Sequence, residues 1–202
     1  MQNESQHAHH GHRSEPGGLV MNENLDQLPS DCSAISEDIQ IDINAGAEFA
    51  TPFPGSIFAF DQQQLNVPPC SRVTVNFHNT DSVRHQWMLH GLPRYLYPGG
   101  MFHLEANGGE TVSGGFIVPS DNRTYLVHCD LPQHMEKGMK AQLTVGKGSG
   151  DLWSVPGVSA HLRNEDYLSD GAVGWIAAAV LLGAVAAGLL FRFYSSGSSK
   201  PS

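Results

Sequence analysis

The chain has 202 residues, 40% of them hydrophobic, with 11 Lys and Arg against 20 Asp and Glu, for a formal net charge of −9. That acidic balance weighs against nucleic-acid binding, which needs clustered cations to neutralise phosphates. Charged residues are only 15% while glycine and proline number 22 and 12, so a charge-rich helical bundle or coiled coil is excluded and many turns are expected.

Residues 1–30 show no hydrophobic period, and Gln, Asn, Glu, Ser and Gly surround His7, His9, His10 and His12. Such a segment buries too little apolar surface to offset its ordering entropy, which predicts a disordered His-rich tail, either a loose metal-binding tract or a plain polar one. Met1–Gly18 also lacks the apolar run of an export signal.

Residues 31–146 read as one folded domain. Strands are predicted at Ile39–Ile43, Ser56–Phe60, Val73–Phe77, Gln86–Leu89, Thr111–Val118, Thr124–His128 and Ala141–Val145, separated by Pro, Gly, Asn and Asp. Many short strands at fairly even spacing indicate an all-β sandwich. Residues 147–170 follow as a linker broken by Gly148, Gly150 and Pro156.

Residues 171–191 run without a charge. At helical rise they extend about 31 Å, enough for a ~30 Å bilayer core, so a C-terminal single transmembrane helix is expected. Trp175 lies near one end, and Phe193 and Tyr194 near the other, as in an interfacial aromatic belt. Acidic Asp151, Glu165, Asp166 and Asp170 precede the segment, and Arg192 and Lys200 follow it. The positive-inside rule then makes residues 192–202 a short cytoplasmic tail and puts the bulk on the extracytoplasmic side, periplasmic or lumenal. Ala179, Gly183 and Ala187 repeat every four residues, a row that permits close helix packing and hence a homo-oligomer through the helix.

The chemistry concentrates in Tyr125–Met139, YLVHCDLPQHMEKGM. Cys129, His134 and Met139 are spaced five and five, closing a predicted strand, and His85 lies 44 residues upstream of Cys129 at the edge of another. One thiolate, two imidazoles and a weak thioether are the donors of a His₂Cys copper site with a long axial Met. Sulfur favours Cu(I) and imidazole accepts Cu(II), so a geometry between their preferences suits electron transfer. Structural zinc takes four Cys or His ligands and has no use for Met.

With these motifs the chain resembles the cupredoxins, and more closely the C-terminal cupredoxin domain of multicopper oxidases. Those domains carry His-Pro-x-His-Leu-His-Gly, here His85-Gln86-Trp87-Met88-Leu89-His90-Gly91, and His-Cys-His-x3-His-x3-Gly-Met, here His128 to Met139 with Asp130 after the Cys. The resemblance covers roughly residues 50–146 and implies a Greek-key sandwich holding one type 1 copper on His85, Cys129, His134 and Met139. Met88 and Asp130 stand where the family has trinuclear-cluster histidines, His90 and His128 keep two such positions, and no second cupredoxin domain is present. The resemblance therefore implies an electron carrier rather than an oxidase or other enzyme, exchanging single electrons with a membrane-bound redox complex or a soluble electron carrier. The alternative is an extracytoplasmic copper-binding or delivery protein without redox shuttling, which the His-rich N-terminus and surplus of Met and His favour.

His90 and His128 read as a hydrogen-bonded framework rather than a second metal site. Met88, Met101, His103 and Met135 read as packing rather than a Cu(I) patch. Trp87 is expected in the core, His78 and His161 on the surface, and Asn79 as a candidate to brace the copper loop by hydrogen bonds. With Cys129 assigned to metal, Cys32 and Cys70 form the natural disulfide, two free buried thiols being the alternative.

Overall fold

The structure, a computed structural model, describes residues 13–159 and 170–196. Among them, strands β1 (Arg13–Glu15), β2 (Gly18–Met21), β3 (Asp38–Gly46), β4 (Ala59–Phe60), β5 (Gln64–Val67), β6 (Arg72–Asn79), β7 (His85–His90), β8 (Met101–Ala106), β9 (Thr111–Ile117), β10 (Arg123–His128) and β11 (Lys140–Val145) form two sheets. The seven-stranded sheet has the order β1-β2-β8-β7-β10-β11-β5, and the four-stranded sheet β4-β3-β6-β9. The fold is a two-sheet β-sandwich, all-β as expected, and an apolar helix, α1 (Asp170–Ser196), follows it in the chain.

Period-2 alternation builds the core. In β6, RVTVNFHN, buried positions alternate with half-buried ones along the strand, so Val73, Val75 and Phe77 face inward while Arg72, Thr74 and Asn76 do not. The facing sheet supplies Trp87, Leu89, Phe102, Leu104, Tyr125, Val127 and Leu143, giving one continuous apolar interior. Tyr97 is fully buried yet polar-satisfied, because its hydroxyl donates to the Ile117 carbonyl and accepts the Ile117 N–H. Burial raises that phenol above its ordinary pKa.

Four strands escaped the sequence reading. β8, MFHLEA, carries Met101 and His103 on its outward face, so polar-apolar alternation is blurred. β5 is only four residues long and pairs in parallel with the distant β11. β1 and β2 correct the expectation that residues 1–30 form a disordered tail. They make a hairpin that adds to the β8 edge, with Val20 fully buried. Backbone pairing and that one inserted side chain order a segment whose composition is polar. Gly18 permits it, since a Cβ there would run into the Glu105 carbonyl and Val112. The histidines of the tail lie outside the described residues.

Cys32 and Cys70 form a disulfide, the first of the two readings, closing a loop of sequence separation 38. The chain-entropy account assigns a loop of this size about 4 kcal/mol. Residues 151–159 correct part of the expected linker, because they pack on the domain. Gln142 Nε2 donates to Asp151 and its Oε1 accepts the Leu152 N–H, and Val155 is fully buried. Residues 160–169 and the tail beyond 196 lie outside the described residues. Within α1, Gly174–Arg192 is long and apolar enough to cross a membrane, with a mean hydropathy of 2.2.

Candidate metal centre

β10 and β11 are neighbouring antiparallel strands, and the loop joining them begins at Cys129 and ends at Met139. Backbone bonds close it on itself. The Cys129 N–H donates to the Met139 carbonyl at 3.1 Å, the Met139 N–H to the His134 carbonyl at 3.0 Å, and the His134 N–H to the Leu131 carbonyl at 3.0 Å. Gly138 takes φ +103°, and a Cβ there would collide with Ser56, so only glycine fits this turn. The Ile57 and Phe58 N–H groups both donate to the Lys137 carbonyl, which seats the loop against the segment leading into β4.

β7 hydrogen-bonds to β10 and starts at His85. His85 therefore enters from the adjacent strand and meets the loop. Its Nδ1 lies 3.2 Å from His134 Nδ1, which in turn lies 3.4 Å from Cys129 Sγ. One ligand atom from each of His85, Cys129 and His134 falls within 4.8 Å of the others. Met139, fully buried, is held beside Cys129 and His134 by the backbone bonds above. Of the four residues singled out in sequence, three have donor atoms brought to one point, and the fourth is placed next to them by its main chain.

Asp81 was not anticipated. Its Oδ2 accepts from His85 Nε2 at 2.7 Å. That fixes the tautomer: the proton sits on Nε2, so Nδ1 presents its lone pair to the pocket. Asp81 is itself fixed by the Ala47 N–H at 3.0 Å, and its own N–H donates to Asn79 Oδ1. Asn79 Nδ2 donates to the Val83, Ala106 and Asn107 carbonyls. Asn79 thus braces the turn carrying Asp81 and His85 rather than the loop carrying Cys129. Phe58, also missed, packs on both imidazoles, 5.0 Å from the His85 ring and 4.5 Å from the His134 ring.

The electrostatics favour a bound cation. Burial pushes the Cys129 thiol above its ordinary pKa, while the Leu131 and Gln86 backbone N–H groups, which bond the sulfur, pull it down. Those two donors favour a thiolate, and a metal ion held there would supply the remaining charge that burial withholds. Burial, then the neighbouring His85, lowers the His134 pKa, which keeps its nitrogen unprotonated. The donor set of two imidazoles, one N–H-supported thiol and a buried thioether fits a copper ion.

Burial also lowers His90 and His103. With three folded-state histidines below the ordinary value near 6.5, the unfolded chain binds more protons than the native one on the acid side. Stability of metal-free protein should then rise with pH up to about 6.5–7 and fall as pH drops below that. Thermal melts between about pH 5 and 8 check this, and a midpoint that stays flat or rises on acidification contradicts it.

No described protein family matches the chain, and no curated protein does. Among solved structures it is similar to auracyanin A, a blue copper protein from the green thermophilic photosynthetic bacterium Chloroflexus aurantiacus, at 28% identity and TM-score 0.42, covering 54% of this chain and 99% of that one. It is similar to the auracyanin of Roseiflexus castenholzii at 22% identity and TM-score 0.42, covering 53% and 96%. It is also similar to the blue copper oxidase of Nitrosomonas europaea at 18% identity and TM-score 0.42, covering 57% of this chain and 40% of that one. The two sheets and the His85–Cys129–His134 convergence agree with the cupredoxin resemblance carried by the two sequence motifs.

Proposed function

We propose that this protein is a membrane-anchored one-electron carrier whose type 1 copper is held by His85, Cys129, His134 and Met139. The observation that carries the reading is the convergence of two imidazole Nδ1 atoms and one thiol in a buried pocket. Copper bound there would supply the exchange between Cu(I) and Cu(II). The chain's part is to hold the donors still. Asp81 orients His85, two N–H groups support the Cys129 sulfur, Phe58 covers both imidazoles, and the sandwich keeps water from the thiol. A site built this rigidly changes charge with little rearrangement, which favours transfer over delivery.

His134 is the half-buried member of the set, so electrons would pass through its edge. Leu131 and Met135 are half-buried and Pro132 exposed around it, with Ile57 50% exposed nearby in the bracing segment. This apolar rim suits a transient redox partner, a membrane complex or a soluble carrier. The Cys32–Cys70 disulfide fits an oxidising compartment. With the spanning segment Gly174–Arg192 and the charge asymmetry about it, it supports a copper domain on the extracytoplasmic side. The missing cluster histidines at Met88 and Asp130 support a carrier that does not reduce oxygen.

The test is a stoichiometric redox titration of copper-loaded protein under air-free conditions, followed by oxygen exposure. The reading expects one electron per chain, reversibly, with no sustained oxygen uptake in excess reductant. Continuous uptake would indicate an oxidase, and a copper ion without an intense visible band would favour delivery. Asp81→Ala, which frees the His85 ring, should weaken copper binding by about 10–100-fold. Competition with a chelator measures it, and unchanged affinity would remove Asp81 from the account.

A further inference from the structure

The outward face of the seven-stranded sheet carries a second cluster that the centre above does not use. Strand alternation turns Met88 and His128 to the side opposite Trp87 and Cys129. The register then pairs Met21 with His103, His103 with Met88 and Met88 with His128, one row across β2, β8, β7 and β10. Directly opposed residues have Cβ atoms about 4.5–5.5 Å apart, so the four side chains are contiguous. His90, two positions beyond Met88 on the same face, stacks on His128 at 4.8 Å with the rings nearly parallel.

This is an outer face, yet Met88, His103 and His128 are 5, 5 and 6% exposed. His103 Nδ1 lies 3.2 Å from the Met21 sulfur. Among the described residues, His90 Nε2, His103 Nε2 and His128 Nδ1 are buried with no hydrogen-bond partner. A single buried polar atom left this way costs about 1–3 kcal/mol, and a ligand shared by two of these imidazoles and the Met88 thioether between β8 and β10 would satisfy them. The nearest carboxylate oxygen to His103 Nε2, from Glu105, is 3.9 Å away, beyond a hydrogen bond. The available donors are therefore imidazoles and thioethers, with no thiolate.

We propose that this row, with Met88 between His103 and the stacked His90–His128 pair and Met21 flanking it, supplies two imidazoles and a thioether to a second metal site selective for a soft monovalent cation, Cu(I). Imidazole and thioether together select Cu(I) over zinc, which prefers thiolate, imidazole or carboxylate, and over hard divalent ions, which take oxygen. The half-buried Met21 and His90 at the margin of the cluster give the ion a way in. The site shares no residue with the first centre and does not depend on its assignment.

The test is an air-free Cu(I) titration of the full chain in detergent against a chromophoric chelator, with the same titration on Cys129→Ser, Met88→Leu and His103→Phe. Two equivalents per chain are expected in the native protein. The Cys129→Ser chain should keep the second-site equivalent, so failure of the first centre and failure of this site read differently. Met88→Leu and His103→Phe should each weaken that equivalent by at least about tenfold while the visible band of the first centre persists on oxidation. Imidazole nitrogen resonances of native protein give a readout that needs no variant: those of His90 and His103 should shift with the second equivalent. A single equivalent, unshifted His90 and His103, or a second equivalent of equal affinity in both folded variants would overturn the proposal.

Discussion

Cys129→Ser is expected to abolish the intense visible absorption of the copper-loaded protein while leaving the fold in place. The serine hydroxyl stays protonated near neutral pH and is a hard donor, so it replaces neither the charge nor the covalency of the thiolate. Copper retention should drop by more than the ~10–100-fold that losing a supporting residue costs. The fold should survive because the hydroxyl is slightly smaller than the thiol, and the Gln86 and Leu131 N–H groups that bond the sulfur can donate to it instead. Absorption, circular dichroism and a metal assay on the purified variant check all three. An intense band surviving in Cys129→Ser would remove the thiol from the metal centre.

Trp87→Ala should destabilise the domain by about 3–5 kcal/mol, the range for truncating a fully buried aromatic. Trp87 has no exposed surface, stacks on Phe116 at 6.0 Å and meets Phe102 edge-on at 6.2 Å. In a chain of this size the melting midpoint should fall by roughly 10 °C. Trp87 shares the inward face of β7 with His85 two residues earlier, so the cavity should also loosen the metal centre. Trp87→Phe separates packing from polarity. The indole Nε1 is buried without a partner, so phenylalanine keeps a ring and removes an unpaired donor, at a cost below about 1.5 kcal/mol. Thermal melts of the two variants measure both effects, and equal losses would mean that the ring contacts are not what stabilises this strand.

The convergence of Cys129 and His134 was legible because both sit with Met139 in one loop at fixed intervals, and a sandwich forces the ends of β10 and β11 together. His85 was picked out through its place at a strand edge and as the first residue of the His85–Gly91 motif. Asp81 was not legible, since an Asp four residues before a His is common and becomes a partner only when the turn between Asn79 and His85 takes its observed path. Phe58 reaches the imidazoles through a segment pinned by the Lys137 carbonyl, a contact between distant parts of the chain that no local pattern announces. Strands with clean alternation, such as β3 and β6, were visible at once. The β1–β2 hairpin was not, because its order comes from an edge supplied by β8 rather than from its own composition. That Met21, His103, Met88 and His128 line up in one row depends on the register of four strands, which no local pattern carries.

The account stands or falls on what surrounds the bound ion. X-ray absorption at the copper edge of the loaded protein, with metal held to one equivalent per chain, measures it directly. The account predicts one short sulfur and two imidazole nitrogens as the strong ligands, the sulfur disappearing in Cys129→Ser. A shell of nitrogen and oxygen only would contradict it.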